Sequence, residues 1–349
     1  MNVGNAHAAA RRQPGFVLHQ LTIGFRSRLQ KPNTLAVERI FDYRAGDGRR
    51  HLATSALRSM PEAARRRKQS RSLCDTAVNS SVRTLVFANF LAPNMTSTYT
   101  EVAARVGQRL GTPTTLVEGA SLDQLRQASV DIAFLCGLPY VRLRREQPGM
   151  LRLLAAPVLD EPRYGGRPVY FSDVIVRRDS PCRSFDDLRG RSWAHNVEDS
   201  YSGCLLSRYT LHEMGETEGF FGQVIFSGWH QESIRRVVAG EVSASAIDSH
   251  VLGVEHRRNP GLHRQLRVIA VLGPSPIPPV VGSASLPDEV AVRVRDALTE
   301  LGDDPSGRAL LGRGLIRQFI PIEDQAYDSM RRMLDVVERL PPPPIRVPA

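Results

Sequence analysis

Residues 200–248 determine how this chain folds, through the segments SYSGCLLSRYTL (200–211), VIFSGWH (224–230) and ASAID (244–248). The first segment places small hydroxyl residues directly before a helical pattern. Ser200 or Ser202 is a good N-cap there, because a hydroxyl can accept a hydrogen bond from a free backbone amide. The other two segments are apolar strands that lead into the polar residues His230 and Asp248. Polar groups at strand ends and helix starts meet at one edge of an α/β sheet, and ligands bind at that edge.

The start of the first helix has the features of an oxyanion site. Free backbone N–H groups and the partial positive charge of a helix start stabilise a tetrahedral anion. Gly203 leaves the backbone open to close approach, because it has no side chain. The alternative is that Ser200 and Ser202 only cap the helix. The residue types alone leave both interpretations open.

Length and composition indicate a soluble, globular protein with room for two ordinary domains. The chain has 349 residues, of which 42% are hydrophobic and 6% aromatic, and this is enough for a sizeable core. Its apolar runs fall short of the roughly 20 residues that span a bilayer. We therefore expect a chain that does not cross a membrane.

The net charge of +10 belongs to one end of the chain. Residues 1–80 hold 15 Lys and Arg against 5 Asp and Glu, whereas the remaining 269 residues hold 31 of each. A nucleic-acid-binding domain carries its basic surface on the folded part of the chain. The neutral remainder therefore argues against nucleic acid as a partner.

Residues 1–80 are predicted to be a disordered basic arm. They are rich in Arg, Ser and Ala and lack a steady period of either 2 or 3.6, so they cannot bury enough apolar surface to fold alone. They contain no clear export signal, because His19 and Gln20 interrupt the apolar stretch 15–25. The alternatives for this arm are a solvated tail, a segment that contacts acidic partners, and an upstream stretch added by a wrongly chosen start codon.

The sequence shows no cofactor or metal motif. The four cysteines lack CxxC spacing and a His partner at metal-ligand distance, and HExxH, P-loop and Gly-rich dinucleotide signatures do not occur. Cys136 and Cys204 are interpreted as small core residues, and a Cys182–Cys204 disulfide is left open. We therefore expect neither a cofactor nor a metal.

From residue 83 onward, apolar strands alternate with helical patterns. Strands are predicted near 85–88, 115–118, 130–135, 151–159, 169–176, 192–195, 224–226, 244–248, 267–272 and 280–284, and helices over 288–301 and 323–340 follow them. This alternation predicts βαβ units and a parallel sheet. One series inserted into the other gives an α/β protein of two lobes joined by two crossing strands. The first lobe would comprise 83–168 and 275–340, the second 169–274, and 341–349 would be a Pro-rich tail.

Six short motifs occur in one order along this part of the chain. They are 130–134 with Gly137-Leu138-Pro139-Tyr140, 187–190, Ser200-x-Ser202-Gly203, Ser227-Gly228-x-His230, 240–242 running up to Asp248, and Pro276-x-Pro278-Pro279. In this order they resemble the phosphonate, phosphate and phosphite binding proteins of ABC transporters, over about 83–340. The resemblance implies the type 2 periplasmic binding protein fold, whose two lobes close on a small oxyanion. It also implies a periplasmic location and an ABC permease as partner, whereas the missing export signal leaves a cytoplasmic location open.

The resemblance further implies which residues bind the ligand. In the family, hydroxyls and amides at a helix start hold the anion, and a carboxylate in the cleft can pair with a ligand's amino group. The matching residues are Ser200, Ser202 and Gly203 at the helix start, Tyr140, His230 and Asp248 at cleft positions, and Thr96, Ser97 and Thr98 in the loop after the first strand.

Each cleft residue also has an ordinary structural interpretation. Tyr140 fits an amphipathic helix, His230 a turn or helix cap, and Asp248 a cap for the helix that follows it. Ser202, His230 and Asp248 are the residue types of a hydrolase triad, but no Gly-x-Ser-x-Gly elbow is present. We therefore predict no catalytic residue and favour a solute-binding protein. A cytoplasmic ligand-sensing domain and an enzyme of the same fold are the alternatives.

Overall fold

The computed structural model describes residues 83–216 and 219–341. The predictions for the arm 1–80 and for residues 342–349 of the tail lie outside this part of the chain. The strands within it are β1 Leu85–Asn89, β2 Thr114–Glu118, β3 Ile132–Phe134, β4 Leu151–Leu159, β5 Val169–Arg177, β6 Ser192–His195, β7 Gln223–Phe226, β8 Ala244–Asp248, β9 Leu266–Pro276, β10 Val280–Ser283 and β11 Ile316–Ile320.

Helices connect most of these strands. They are α1 Thr96–Leu110, α2 Asp123–Arg126, α3 Gly137–Glu146, α4 Leu206–Glu213, α5 His230–Ala239, α6 Ser249–Arg258, α7 Leu262–Gln265, α8 Asp288–Thr299, α9 Pro305–Arg313 and α10 Asp328–Val337. A π-helical turn, Tyr201–Leu205, leads directly into α4. No helix among the described residues has both the length and the apolar character needed to span a membrane.

The strands form two sheets, with the orders β11-β4-β10-β3-β1-β2 and β7-β6-β8-β5-β9. We call the parts of the chain that carry them lobe 1 and lobe 2. Pairing is parallel between β1 and its neighbours β2 and β3, and between β6 and its neighbours β7 and β8. The strands β10, β11 and β5 instead pair in the antiparallel sense. The prediction of a parallel sheet is therefore wrong for these strands.

The antiparallel strands follow from the path of the chain. Parallel neighbours need a crossover within one sheet, usually a helix. The chain instead leaves lobe 1 after β4 and enters β5 of lobe 2 through residues 160–168, and it returns from β9 to β10 through residues 277–279. A strand that enters a sheet directly from the other lobe has no crossover helix before it, so it can pair in the antiparallel sense with its neighbours. The two lobes are also in direct contact. Tyr170, Tyr201 and Leu205 of lobe 2 pack into the apolar cluster of lobe 1.

Sequence patterns did not predict α9 and β11. The segment 303–320 holds three Gly and one Pro, and its apolar residues follow neither period for long. A local signal was nevertheless present, because Asp304 caps α9 by accepting a hydrogen bond from the N–H of Gly307 at 2.8 Å, with Pro305 at the first helical position. Strand β11 is an edge strand with only Ile316 and Phe319 buried, which leaves a weak alternation.

Candidate functional site

A cavity of about 220 Å³ lies between the two lobes. Its wall includes residues that follow β1 and β3 in lobe 1, such as Phe90 and Leu135, and residues that end or follow β6 and β8 in lobe 2, such as Asn196 and Asp248. The carboxyl ends of strands from both sheets therefore meet at one opening. This is the edge at which α/β sheets bind ligands.

Ser200 caps the helix start on the lobe 2 side of the cavity, as predicted. Its Oγ accepts a hydrogen bond from the N–H of Gly203 at 3.1 Å. The first bond along the helix runs from the N–H of Leu205 to the carbonyl of Ser200, at 3.0 Å. This five-residue spacing leaves one more amide without a helical partner than an α-helix start does. The Gly203 amide is occupied by Ser200, so it is not free in the way the sequence suggested.

Ser202 lines the cavity from the first turn of this helix. Its carbonyl accepts a hydrogen bond from Ser172 Oγ at 2.6 Å, which fixes the turn to β5. Its own Oγ lies 3.3 Å from Nε2 of His230, the first residue of α5. Burial lowers the pKa of His230 to about 4, so the ring is neutral at pH 7. A neutral imidazole with a proton on Nε2 donates to Ser202 Oγ and leaves the hydroxyl proton free to donate into the cavity.

Gly203 occupies a position at which a side chain would clash with its neighbours. A Cβ at this position would lie 2.0 Å from Oδ1 of Asn196 and 3.0 Å from the His230 ring. Asn196 is buried, lines the cavity, and has no hydrogen-bond partner for Oδ1 among the described residues. The glycine therefore allows Asn196 and His230 to pack against the helix start.

Asp248 ends β8 and also caps α6. Its Oδ1 accepts hydrogen bonds from the N–H groups of His250 and Val251, at 2.8 and 3.2 Å. Burial is the main cause that raises the pKa of this carboxyl to about 7, against the opposing effect of the two amides. The structural interpretation of Asp248 as a cap and its position in the cavity wall are both correct.

The lobe 1 side of the cavity is apolar. Phe90, Leu91, Met95, Leu122 and Leu135 contribute to it. The Tyr99 ring joins them and stacks on Phe134 with ring centroids 3.8 Å apart. None of the described residues that line the cavity is Lys or Arg. An anion bound here would be held by neutral donors rather than by an ion pair.

Five of the predicted ligand residues lie outside the cavity wall: Gly203, Tyr140, Thr96, Ser97 and Thr98. Tyr140 is buried in lobe 1, where its hydroxyl donates to Asp324 and its ring packs on Tyr327. Thr96 Oγ1 donates to Glu118 at 2.6 Å, and Ser97 is exposed on α1. The expectation that Tyr140 faces the cleft is therefore corrected: its helix turns this face toward α10, and the contact with Asp324 spans 184 positions of sequence. Thr98 is likewise buried away from the wall, against Gly314.

Tyr140→Phe tests this placement. We expect the variant to bind an oxyanion as tightly as the parent protein and to lose about 1–2 kcal/mol of unfolding free energy, because only the hydrogen bond to Asp324 is removed. Calorimetric titration and urea unfolding measure the two quantities. A clear loss of affinity with unchanged stability would return Tyr140 to the binding site.

Sequence reasoning missed Asn196, Tyr99 and Trp229, which also line the cavity. Asn196 directly follows β6, so the strand-end rule that selected His230 and Asp248 applies to it equally. Tyr99 had no comparable signal, because an aromatic residue on the buried face of an amphipathic helix is ordinarily part of the core. Trp229 is half exposed at the rim.

Contacts between the lobes close the cavity on two sides. On one side, Asn94 Nδ2 of lobe 1 donates to the carbonyl of Val251 at 3.2 Å and to Glu255 at 2.9 Å. On the other side, Arg142 of lobe 1 forms an ion pair with Asp199, which itself lines the cavity. These contacts hold the two lobes together beside the cavity, which is partly open to solvent.

The described residues contain no group of three His, Cys, Asp or Glu side chains arranged to hold a metal ion. Cys136, Cys182 and Cys204 are free thiols, so the disulfide left open between Cys182 and Cys204 is not formed. Cys204 is buried as predicted, whereas Cys136 is only partly buried and lines the cavity.

A family model matches residues 85–327, which is more than half of the chain. The family is described as the periplasmic substrate-binding protein of phosphonate ABC transporters. The matched range covers every strand of both sheets. It also includes all of the residues that line the cavity.

Solved structures share the fold. A binding protein component of an ABC phosphonate transporter from Pseudomonas aeruginosa is 18% identical, with a TM-score of 0.66 over 74% of this chain and 88% of its own. PhnD1 from Prochlorococcus marinus, in complex with methylphosphonate, is 17% identical, with a TM-score of 0.66 over 74% of this chain and 100% of its own. A Xanthomonas citri protein bound to chloride is 21% identical, with a TM-score of 0.57 over 73% and 98% of the two chains. The two-lobe, type 2 periplasmic binding protein architecture is confirmed.

Proposed function

Because this chain belongs to the family of periplasmic substrate-binding proteins of phosphonate ABC transporters, we propose that its cavity binds the phosphonate group of a small ligand at the helix start that begins with Ser200. The observation that supports this most directly is the π-helical turn. It begins a helix with amides that have no helical partner, and Ser200 and Ser202 at this helix start line the cavity. A helix start of this kind suits a tetrahedral oxyanion.

Neutral donors account for binding without a cation in the wall. Buried donors that a ligand leaves unpaired cost roughly 1–3 kcal/mol each, so the site favours ligands with several acceptor oxygens in a tetrahedral arrangement. Ser202, supported by His230, and the amides of the turn supply these donors. Ser200 and His230 contribute to binding indirectly. Ser200 holds the π-helical turn in place, and His230 orients the Ser202 hydroxyl.

Capture of the ligand follows from closure of the lobes. The crossings at 160–168 and 277–279 are the connections about which the lobes can rotate. Contacts such as Asn94 with Glu255 and Arg142 with Asp199 exist only when the lobes meet. A ligand that bonds to lobe 2 and packs on lobe 1 favours that closed arrangement.

The family also supports a partner and a place of action. Its members are the periplasmic components of ABC transporters, so we propose that this protein acts in the periplasm and delivers its ligand to an ABC permease. The methylphosphonate bound to the Prochlorococcus protein supports a phosphonate as the ligand class.

Ser202→Ala tests the proposed anion site. We expect it to weaken the binding of methylphosphonate by about tenfold, because one hydrogen bond to a charged oxygen is lost. Isothermal titration calorimetry measures the change. Ser97→Ala is the matched control: it removes the same hydroxyl from an exposed position on α1, outside the cavity wall, and should leave affinity unchanged. Equal affinities of Ser202→Ala and the parent protein would refute the assignment.

A further inference from the structure

The two walls of the cavity differ in chemistry. Lobe 2 contributes most of the polar side chains, including Asn196, Ser202 and His230, whereas lobe 1 contributes mainly carbon surface, with the phenol of Tyr99 and the thiol of Cys136. A ligand whose charged head is held by lobe 2 therefore directs its remaining atoms at an apolar wall. The division of chemistry between the lobes restricts what those atoms can be.

The apolar wall is held in place by the backbone of lobe 1. The N–H of Phe90 donates to the carbonyl of Phe134 at 3.0 Å, and the N–H of Leu91 donates to Asn89 Oδ1 at 3.0 Å. The Phe90 ring covers Gly119, where a Cβ would lie 2.3 Å from the ring. These contacts fix the loop after β1, so its apolar side chains form a preformed surface.

We propose that the preferred ligand is an alkylphosphonate with a short, uncharged chain of about three carbons, whose alkyl group packs against Phe90, Leu91 and Leu122 of lobe 1. This inference rests on the proposed function and adds the class of substituent. No Lys, Arg or Glu side chain lines the cavity among the described residues, so the chain of the ligand has no cationic or glutamate partner there. The cavity volume of about 220 Å³ leaves room for a chain of this length beside the phosphonate group.

The competing ligand is an aminoalkylphosphonate, whose ammonium would pair with a carboxylate of the wall. Asp199 is already paired with Arg142. Asp248 caps α6 through Oδ1, and burial raises the pKa of its carboxyl to about 7, so this group is only partly ionised at neutral pH. An ammonium placed against the remaining apolar wall would lose hydration without a dedicated partner. The structure therefore favours the alkyl group.

Propylphosphonate and 2-aminoethylphosphonate separate these possibilities, because they differ only by a terminal methyl in place of an ammonium. We expect propylphosphonate to bind about tenfold more tightly than methylphosphonate, because two additional CH₂ groups are buried. It should also bind at least about tenfold more tightly than 2-aminoethylphosphonate. Calorimetric titration of the full chain with the three compounds measures the ratios. Tighter binding of 2-aminoethylphosphonate, or equal binding of all three, would overturn the inference while leaving the phosphonate site intact.

Variants distinguish this inference from the proposed function. Leu91→Asn keeps the size of a partly exposed side chain but makes the wall polar, so it should abolish the preference for propylphosphonate over methylphosphonate. Ser202→Ala should weaken all three compounds in parallel. A preference that survives Leu91→Asn would contradict the assignment of the alkyl subsite. Failure of all three compounds to bind the parent protein would instead overturn the proposed function itself.

Discussion

Gly203→Ala is expected to weaken methylphosphonate binding by about a hundredfold. The added methyl would lie 2.0 Å from Asn196 Oδ1 and 2.7 Å from its Cγ, so Asn196 has to move. Asn196 is buried at the cavity wall, and the space open to it is the cavity in which the oxyanion binds. We also expect a loss of about 1–3 kcal/mol in unfolding free energy from overpacking. Calorimetry and urea unfolding of the same preparation measure both effects.

A matched glycine and a rescue variant make this test specific. A Cβ at Gly312, within α9, meets no atom within 4 Å. Gly312→Ala should therefore leave affinity unchanged and stabilise the helix slightly. The double variant Gly203→Ala/Asn196→Ala removes the clashing side chain and should recover most of the stability. Parent-like affinity in Gly203→Ala would show that the packing of Asn196 against the helix start does not matter for the anion.

Sequence reasoning located the lobe 2 side of the cavity because each polar residue there ends a strand or starts a helix. Ser200, Ser202, His230 and Asp248 line the cavity for this local reason, and their roles in ligand binding stay predictions. Such residues stand just after an apolar run or just before a helical pattern, and the extent of these patterns can be read from the sequence.

The lobe 1 side could not be located in the same way. Phe90, Leu122 and Leu135 look like core or loop residues in sequence, and only the packing of lobe 2 opposite them turns them into a ligand wall. Tyr140 shows the opposite error, because it was predicted to face the cleft but lies outside the cavity wall. An amphipathic helix was only the alternative interpretation of Tyr140. The contact between its hydroxyl and Asp324 comes from the far end of the chain, and short-range patterns carry no information on it.

The antiparallel strands have the same origin. Each segment was recognised as a strand, yet the direction of β10 depends on where the chain returns from lobe 2. The family resemblance implied the two-lobe fold but gave no strand direction, and alternation of strands and helices favoured a parallel sheet. Local patterns thus predicted elements, and long-range contacts decided their arrangement.

Asp248 introduces a pH dependence whose sign follows from its surroundings. Burial raises its pKa to about 7, so the carboxyl is mostly protonated at pH 6 and mostly ionised at pH 8. The rings of His230 and His250 have pKa values of about 4 and stay neutral over this range. An oxyanion in the same cavity favours the protonated acid, because two like charges repel in a poorly solvated site. Binding of the anion is therefore coupled to uptake of a proton.

Asp248→Asn should consequently remove most of the pH dependence of binding above pH 7. In the parent protein, each pH unit above 7 requires about 1.4 kcal/mol to protonate Asp248, so affinity should fall about tenfold per unit relative to the variant and about a hundredfold by pH 9. Asn retains the Oδ1 that caps α6. Calorimetric titration of both proteins with methylphosphonate at pH 6, 7, 8 and 9 measures the ratio of their affinities. Protonation of the ligand affects both proteins equally, so it cancels in this ratio.

Thermal unfolding supplies an independent check of the same group. Because the folded-state pKa of Asp248 lies above that of an unfolded Asp, its contribution to stability is lost as the pH rises toward 7. Asp248→Asn should therefore raise the unfolding temperature more at pH 8 than at pH 5. A parent protein whose affinity for methylphosphonate rises with pH relative to the variant would contradict the predicted repulsion between the ionised Asp248 carboxylate and the bound anion.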